Sequence, residues 1–397
     1  MDPIRRVVDW WASPKLTVWL LALLMFLIFA GTWAQIDMGI WATLKIYFRS
    51  LFVWIPFQIF LPRAWDVPGA LPFPGGSLLG AALFINLIAA HTVRFRLTRK
   101  RLGLLLIHFA LILLFIGEFV TAMFANEANM SIDEGQTISY AEDVRTVELA
   151  VIDRSDPDED HVVVVPERLL AREKKLSDPL LPFDLEVTHY YPNSQLVNRS
   201  EAPNAPGADQ GVAANFGLTA VRRPVASGVG DDSMDLPVAF VRASADGNEL
   251  GTWMVPLYLS LIESPDVQTV AVGGRTYEMW LRYQREYKPY SIHLLDFAHD
   301  RYLGTDTPRN YSSHIRLIDP ERGEDREVLI YMNNPLRYRG ETFYQASFKK
   351  GDLGTVLQVV RNPGWLIPYI ACTIGAIGLC IQFGASLGRF LSKRRTA

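Results

Sequence analysis

Cysteine and charged residues are scarce in this chain. Two cysteines among 397 residues exclude a disulfide-rich scaffold and a four-cysteine metal or iron–sulfur site within the chain. No CxxC or CxxCH pattern occurs, which excludes a thioredoxin-like reductase and a c-type cytochrome. Charged residues make up 20% of the chain and apolar residues 49%. With a mean hydropathy of +0.11, this composition is too apolar for disorder and favours membrane spans.

Signatures of catalysis and of nucleotide binding are also missing. The chain has no nucleophile elbow, Walker loop, GxGxxG or HExxH pattern. Its net charge of -3 lacks the basic excess that is typical of nucleic-acid-binding proteins. The sequence therefore predicts neither an enzyme that acts alone nor a partner for nucleic acid.

Four apolar stretches approach the length of a transmembrane helix, which is about 20 residues for a hydrocarbon core of about 30 Å. They cover residues 16–33, 77–93, 102–124 and 365–383. A cleavable signal peptide is the alternative interpretation of the first stretch, but Ala30-Gly31-Thr32 is a poor cleavage site. We therefore predict four transmembrane helices.

Residues 40–61 form a fifth apolar segment of a different kind. It is rich in aromatic residues but is interrupted by Lys45, Arg49 and Pro56. Because aromatic side chains favour the membrane interface, we interpret this segment as an interfacial helix that lies on the bilayer. A fifth span is the alternative, which the charges and the proline disfavour.

Basic residues flank the spans on one side of a four-span topology. The clusters are Arg5, Arg6 and Lys15, then Arg94, Arg96, Arg99, Lys100 and Arg101, then Arg389, Lys393, Arg394 and Arg395. The positive-inside rule then places both termini in the cytoplasm and residues 125–363 outside. The predicted domains are thus 1–124 in the membrane, 125–363 outside, and 364–397 with the last helix and a basic cytoplasmic tail.

The outer domain differs from the rest of the chain in charge. Residues 125–363 contain 24 Lys and Arg against 37 Asp and Glu, a net charge of -13, whereas the remainder carries +10. Attraction to a basic partner and a simple solvated surface both explain the acidic excess.

The outer domain is predicted to be rich in β-strands. Alternating or β-branched runs recur, separated by turn residues, and Gly273-Gly274 between two such runs is typical of a hairpin. Two stretches, 192–214 and 222–235, are interpreted as long surface loops. The fold class predicted for the whole chain is a multi-pass membrane protein with four transmembrane helices and a large, sandwich-like exported domain.

Two histidines lie near the cytoplasmic ends of predicted spans. His91 ends the second span and His108 lies about one and a half turns into the third. Neutral imidazoles on adjacent helices at similar depth are able to ligate one haem iron, and the nearby arginines suit its propionates. Alternatively, His91 lies among lipid headgroups, His108 bonds a neighbouring helix, or another subunit provides one ligand.

Other candidate residues receive structural interpretations. Glu118, near the outer end of the third span, either bonds another helix or extends toward the outer surface. Cys372 and Cys380 are too far apart for a disulfide and are interpreted as small apolar packers. His293 and His299 share one face if their strand is continuous, which would suit a metal or haem contact. Solvated or hydrogen-bonded histidines are commoner, and we favour that interpretation.

The order of these features is similar to that of a known family. The segments that carry the similarity are Ser13-Pro14-Lys15-Leu16, Arg101–His108, Met130–Gly135, Tyr290–Phe297, and Tyr331–Gly340 running on to Phe343–Phe348. They resemble ResB (CcsB), a membrane component of System II cytochrome c biogenesis. The Asn334-Pro335-Leu336 segment followed by Tyr344-Gln345 is the most specific marker.

The resemblance implies a function in haem handling. Proteins of this family act with a CcsA/ResC-type partner to deliver haem across the membrane for covalent attachment to apocytochrome c, and a thioredoxin-like reductant contributes indirectly. It implies haem b as cofactor, His108 as ligand of the haem iron, and a second ligand from the partner, which competes with the His91–His108 pair. It also implies the bacterial inner membrane with a periplasmic domain, and contacts with membrane lipid.

Two other functions remain compatible with the sequence. One is a structural or scaffolding subunit of another envelope complex that binds no haem, and the other is an envelope lipid-transfer component. The histidine inside the third span favours haem handling over both.

Overall fold

The computed structural model describes residues 3–62, 65, 67–94, 98, 101–172, 174–225, 234–262, 266–304 and 308–395. The chain divides into a membrane unit, which comprises residues 1–125 and 362–397, and a β unit, which comprises residues 126–226 and 234–361. Each unit is considered by itself.

Helices form most of the membrane unit. The α-helices among the described residues are α1 (Pro3–Trp11), α2 (Pro14–Thr43), α3 (Gly76–Arg94), α4 (Leu102–Phe124), α5 (Glu167–Leu170), α6 (Gly211–Phe216) and α7 (Ile367–Arg395). Four of them are long and apolar enough to cross a membrane, over Pro14–Ile40, Gly76–Val93, Leu102–Phe124 and Ile367–Ser392. The prediction of four spanning helices is confirmed.

The prediction of one helix over residues 40–61 is wrong in part, because a strand interrupts it. Helix α2 instead continues to Thr43 through a non-helical residue, Gly39, whose φ of 72° suits glycine. A π-helical turn follows at Leu44–Phe48, and β1 (Phe52–Pro56) then pairs antiparallel with β2 (Ala70–Pro74). Burial alternates along β1, with Val53 and Ile55 buried between exposed neighbours. This period of two is the mark of a strand, which the abundance of aromatic residues concealed.

Small residues allow α4 and α7 to pack closely. Gly103, Ala110 and Gly117 are the buried residues of α4 and recur every seven residues. A Cβ atom on Gly103 would lie 2.8 Å from the carbonyl oxygen of Gly378 and 2.7 Å from the backbone nitrogen of Gln382. Close backbone approach at small residues is how transmembrane helices associate.

Substituting Gly103→Leu is therefore expected to separate α4 from α7. Because the side chain would collide with backbone rather than with a movable side chain, the cost should reach at least about 1–3 kcal/mol. The measurement is the thermal midpoint of monodisperse elution in mild detergent. The control is Gly384→Leu on α7, where a Cβ meets nothing within 4 Å. An equal midpoint for the two variants would contradict this packing.

Strands dominate the β unit. Those after β2 are β3 (Asn126–Asp133), β4 (Thr137–Asp153), β5 (His161–Pro166), β6 (Lys175–Leu176), β7 (Asp184–Tyr191), β8 (Ser194–Asn198), β9 (Leu218–Arg222), β10 (Val238–Ala245), β11 (Asn248–Pro256), β12 (Gln268–Val272), β13 (Arg275–Arg301), β14 (Pro308–Asp319), β15 (Glu324–Tyr331), β16 (Leu336–Tyr338), β17 (Glu341–Phe348) and β18 (Gly354–Arg361). Two of them, β4 and β13, are long enough to take part in two separate cores.

The first core lies between two sheets. In one sheet the first half of β13 pairs with the second half of β4, flanked by β5 and β12, and the other sheet has the order β11-β10-β7-β6. Buried side chains from both sheets form a single cluster, which includes Leu149, Val151, Leu185, Val241, Val255 and Leu281. This half is the sandwich that the alternating strand patterns predict.

The second core is enclosed by the rest of the larger sheet. Its strands follow the order β15-β14-β13-β4-β3-β18-β17-β16. Inward side chains form the second cluster, which includes Met130, Ile132, Ile292, Leu317, Phe343 and Leu357. The two cores are joined because β4 and β13 run through both.

Turns in the β unit agree only partly with the sequence prediction. Gly273 and Gly274, with φ of 61° and 77°, form the two-residue turn between β12 and β13, so the predicted hairpin is confirmed. The loop predicted over 192–214 is wrong in part, because β8 lies within it and pairs with β9. Most of the second predicted loop, residues 226–233, lies outside the described residues.

Candidate functional site

The two candidate histidines lie side by side in the membrane unit. His91 is in the last turn of α3 and His108 is in the second turn of α4. Their ring centroids are 4.8 Å apart and their ring planes meet at 89°, an edge-to-face contact. Both side chains are half-buried. The helix packing thus brings together the pair whose proximity the sequence predicted.

A backbone contact orients the His91 ring. Its Nδ1 lies 2.8 Å from the carbonyl oxygen of Leu87, one turn earlier in α3. A carbonyl oxygen only accepts, so Nδ1 must carry the proton and donate it. In the neutral ring the lone pair is then on Nε2, the nitrogen suited to a metal or a second donor.

A buried amide fixes α3 against the start of the chain. Asn86, five residues before His91, donates from Nδ2 to the carbonyl oxygen of Trp11 at 2.5 Å. Its Oδ1 accepts a hydrogen bond of 2.7 Å from the hydroxyl of Thr17. An amide bonded in this way ties α1, α2 and α3 together, because an unsatisfied polar group would be costly inside a membrane.

The pair has the chemistry of an iron site but not the spacing of two ligands on opposite sides of one haem. Metal–imidazole nitrogen bonds are about 2 Å long, so two axial nitrogens lie about 4 Å apart and their ring centroids about 6 Å apart. The observed 4.8 Å leaves no room for a porphyrin between the rings. Imidazole is nevertheless the commonest ligand of haem iron, so the residues fit a haem that is held by one ligand from this chain.

The basic cluster between α3 and α4 is the one predicted to meet haem propionates. Arg96, Arg99 and Lys100 lie outside the described residues. Arg101 is described, and it is exposed immediately before the start of α4. It lies seven residues before His108, or about two turns of helix.

The second pair of histidines in the sequence analysis does not share a face. A bulge between Leu294 and Asp296 interrupts the pairing of β13 with β14. His293 lies before the bulge and its Nδ1 is 2.8 Å from the hydroxyl of Thr137. His299 lies after it, with its side chain almost fully buried. Because the bulge turns the two side chains to different faces, the prediction that they share one face is wrong. The described residues contain no group of three or more metal-ligating side chains.

His299 has a packed rather than a solvated environment. Its ring contacts those of Tyr311 and Phe348, at centroid distances of 4.8 and 4.5 Å, and these two rings also contact each other. Its Nδ1 is 2.8 Å from a carboxylate oxygen of Asp352. These contacts agree with the interpretation of a hydrogen-bonded structural histidine.

Two buried hydrogen-bond networks include residues of the segment from Tyr331 to Phe348, which carries the most specific part of the resemblance to ResB. Asp319 is fully buried and accepts hydrogen bonds from the hydroxyl of Tyr338 at 2.5 Å and from Nε of Arg339 at 2.6 Å. On β17, the buried Glu341 accepts hydrogen bonds from Nζ of Lys288 at 2.6 Å and from the hydroxyl of Tyr290. The partners are distant in sequence, so spacing alone could not reveal them.

Asp319 should make the stability of the β unit sensitive to acid. Burial raises its pKa, but the hydrogen bonds from Arg339 and Tyr338 outweigh burial and hold the pKa at about 2. Because an unfolded Asp titrates near about 3.9, its contribution is present above that pH and is lost as the pH falls toward 2. In thermal melts, the difference in unfolding midpoint between the wild type and Asp319→Asn is expected to shrink from pH 6 to pH 2. A difference that widens with acid would contradict the lowered pKa of Asp319.

Fold and site together define a multi-pass membrane protein with a large β-rich domain and an intramembrane histidine pair. Residues 258–356 match the family model described as the ResB-like family. Protein NrfI of Wolinella succinogenes is 36% identical over 91 residues, which are 23% of this chain and 10% of that protein. The matched segment is thus ResB-like, and the resemblance inferred from the sequence is confirmed. It lies in the β unit and does not include His91 or His108.

Proposed function

We propose that this protein is a cytochrome c biogenesis component that acts with a CcsA/ResC-type partner. Together they deliver haem across the membrane for covalent attachment to apocytochrome c. The observation that carries the proposal is the imidazole pair inside the membrane unit, 4.8 Å apart on α3 and α4. An ionisable residue in a span is costly and is typically functional. The ResB-like segment supports the same function from the other unit.

Haem is the cargo in this proposal, and His108 is the ligand that this chain offers to its iron. The spacing of the rings leaves no room for a porphyrin between them, which favours a second ligand from the partner. His91 then acts as a positioning residue: its Nδ1 is held by Leu87 and its ring makes an edge-to-face contact with that of His108. It limits the rotation of the His108 imidazole.

The proposed location is the bacterial inner membrane, with both termini in the cytoplasm and the β unit in the periplasm. The basic clusters that flank the spans support this orientation through the positive-inside rule. It places His91 and His108 toward the cytoplasmic ends of α3 and α4, where haem from the cytoplasm would enter.

A reconstituted assembly tests the function. The chain, a CcsA/ResC-type partner and a reporter apocytochrome c are produced in a bacterial host that lacks its own cytochrome c assembly proteins. We expect covalent haem on the reporter, detected by its peroxidase activity after denaturing electrophoresis, and none when this chain is omitted. Equal yields without the chain would refute the proposal. A colourless complex with the partner would favour the alternative, a structural subunit that binds no haem.

A further inference from the structure

One face of α4 exposes a carboxylate inside a membrane span. Glu118 is exposed, although it lies within the span Leu102–Phe124 and six residues before its end. At about 1.5 Å per residue, this places it about 9 Å from the end of the helix. A charged side chain that faces lipid at such a position is costly, so intramembrane carboxylates typically face protein or water.

The neighbours of Glu118 on this face have the spacing of a helix-packing seam. Its members are Leu104, Ile107, Leu111, Leu114, Glu118 and Ala122. Apart from the last step, they alternate between three and four residues, which is the pattern of knobs-into-holes packing. We call this face the α4 seam.

Neighbouring helices of this chain lie on either side of this face of α4. The face of Gly103 and Gly117 packs on α7. The face of His108 and Phe115 meets α3, where the rings of Phe115 and Phe84 are 5.7 Å apart. At 100° per residue, Glu118 points roughly midway between these two contacts. The α4 seam is therefore a third face, next to His108.

We propose that the α4 seam binds a transmembrane helix of the partner membrane protein, and that this helix places a basic side chain opposite Glu118. Charge complementarity is the reason for the basic group, because a paired carboxylate is far less costly in a membrane than an exposed one. A helix in this position would also lie next to His108 on α4. The identity of the partner rests on the proposed function, whereas the seam rests on Glu118 and its neighbours.

Site-specific photocrosslinking tests the seam with a matched pair of positions. Leu111 lies on the α4 seam and is 42% exposed, whereas Ile116 is 41% exposed and points roughly 140° away. Each is replaced in turn by a photoreactive phenylalanine derivative, in the full chain co-expressed with an epitope-tagged CcsA/ResC-type partner. We expect a crosslink to the partner from position 111 and little from position 116. Equal crosslinking, or crosslinking from position 116 alone, would overturn the proposal.

Variants of Glu118 test the basic partner. Glu118→Gln keeps the shape of the side chain but removes its charge, and Glu118→Lys reverses the charge. Loss of the charged pair should lower partner recovery roughly tenfold in the first variant, the scale of one polar contact between membrane helices, and further in the second. Unchanged recovery in both would mean that Glu118 extends to the outer surface and would overturn the role of the carboxylate. Monodisperse elution of each variant alone shows that it has folded.

The outcomes distinguish the seam from the haem function. A colourless complex that still crosslinks from position 111 would contradict haem binding and support the seam. A haem-loaded complex that crosslinks only from position 116 would contradict the seam alone.

Discussion

Replacing His108 with alanine is expected to remove most of the Soret absorbance of the proposed complex between this protein and a CcsA/ResC-type partner. Removing the proposed iron ligand would expose the haem to exchange, and the adjacent His91 is held by its hydrogen bond to Leu87. The measurement is the ratio of Soret to protein absorbance after purification in mild detergent. We expect at least about a tenfold loss, the scale typical of disrupting a metal site.

Two matched variants make this result specific. His91→Ala removes the proposed positioning ring and should reduce the haem content while leaving a residual Soret band. His293→Ala removes an imidazole of the β unit that bonds Thr137, and the haem content should not change. Full retention of haem in His108→Ala together with its loss in His91→Ala would reverse the assignment of the ligand.

Replacing Arg282 with methionine is expected to have the largest effect on stability. Arg282 and Glu148 lie opposite each other on β13 and β4, and their side chains are 7% and 6% exposed. Nε of Arg282 is 3.0 Å from the Glu148 carboxylate. Removing the guanidinium leaves a buried, unpaired carboxylate, which costs about 3–5 kcal/mol. In a β unit of this size, the midpoint of thermal unfolding should fall by roughly 10 °C.

The control variants separate burial from charge. Arg316→Met breaks the pair with Asp325, whose two contacts of 2.6 Å are on the surface, and should change the midpoint little. Combining Arg282→Met with Glu148→Leu should restore much of the loss, because no buried charge remains. The midpoint is followed by far-UV circular dichroism of the full chain in detergent. A larger loss in Arg316→Met than in Arg282→Met would contradict the account.

The spans and many of the strands could be predicted because their signals are local. Apolar length marks α4 and α7, and two consecutive glycines mark the turn between β12 and β13. Proximity of His91 and His108 could be predicted because a short connection between antiparallel helices brings their adjoining ends together. Their edge-to-face orientation could not, because it depends on how each helix is rotated.

The errors arise where tertiary contacts override a local pattern. Aromatic residues in 40–61 suggested an interfacial helix, but pairing of β1 with β2 decides the structure there. One bulge in β13 turned His293 and His299 to different faces. The bond between Lys288 and Glu341 joins positions 53 residues apart, which a single sequence does not connect.

Chemical rescue of His108→Gly by imidazole tests the central claim most directly. If His108 is an axial ligand of haem, the glycine variant leaves a space that free imidazole can fill. We expect a weak or high-spin haem spectrum without imidazole. With imidazole, we expect a return of the low-spin Soret band together with covalent haem on the reporter cytochrome. A low-spin spectrum that is unchanged in His108→Gly without imidazole would contradict the account.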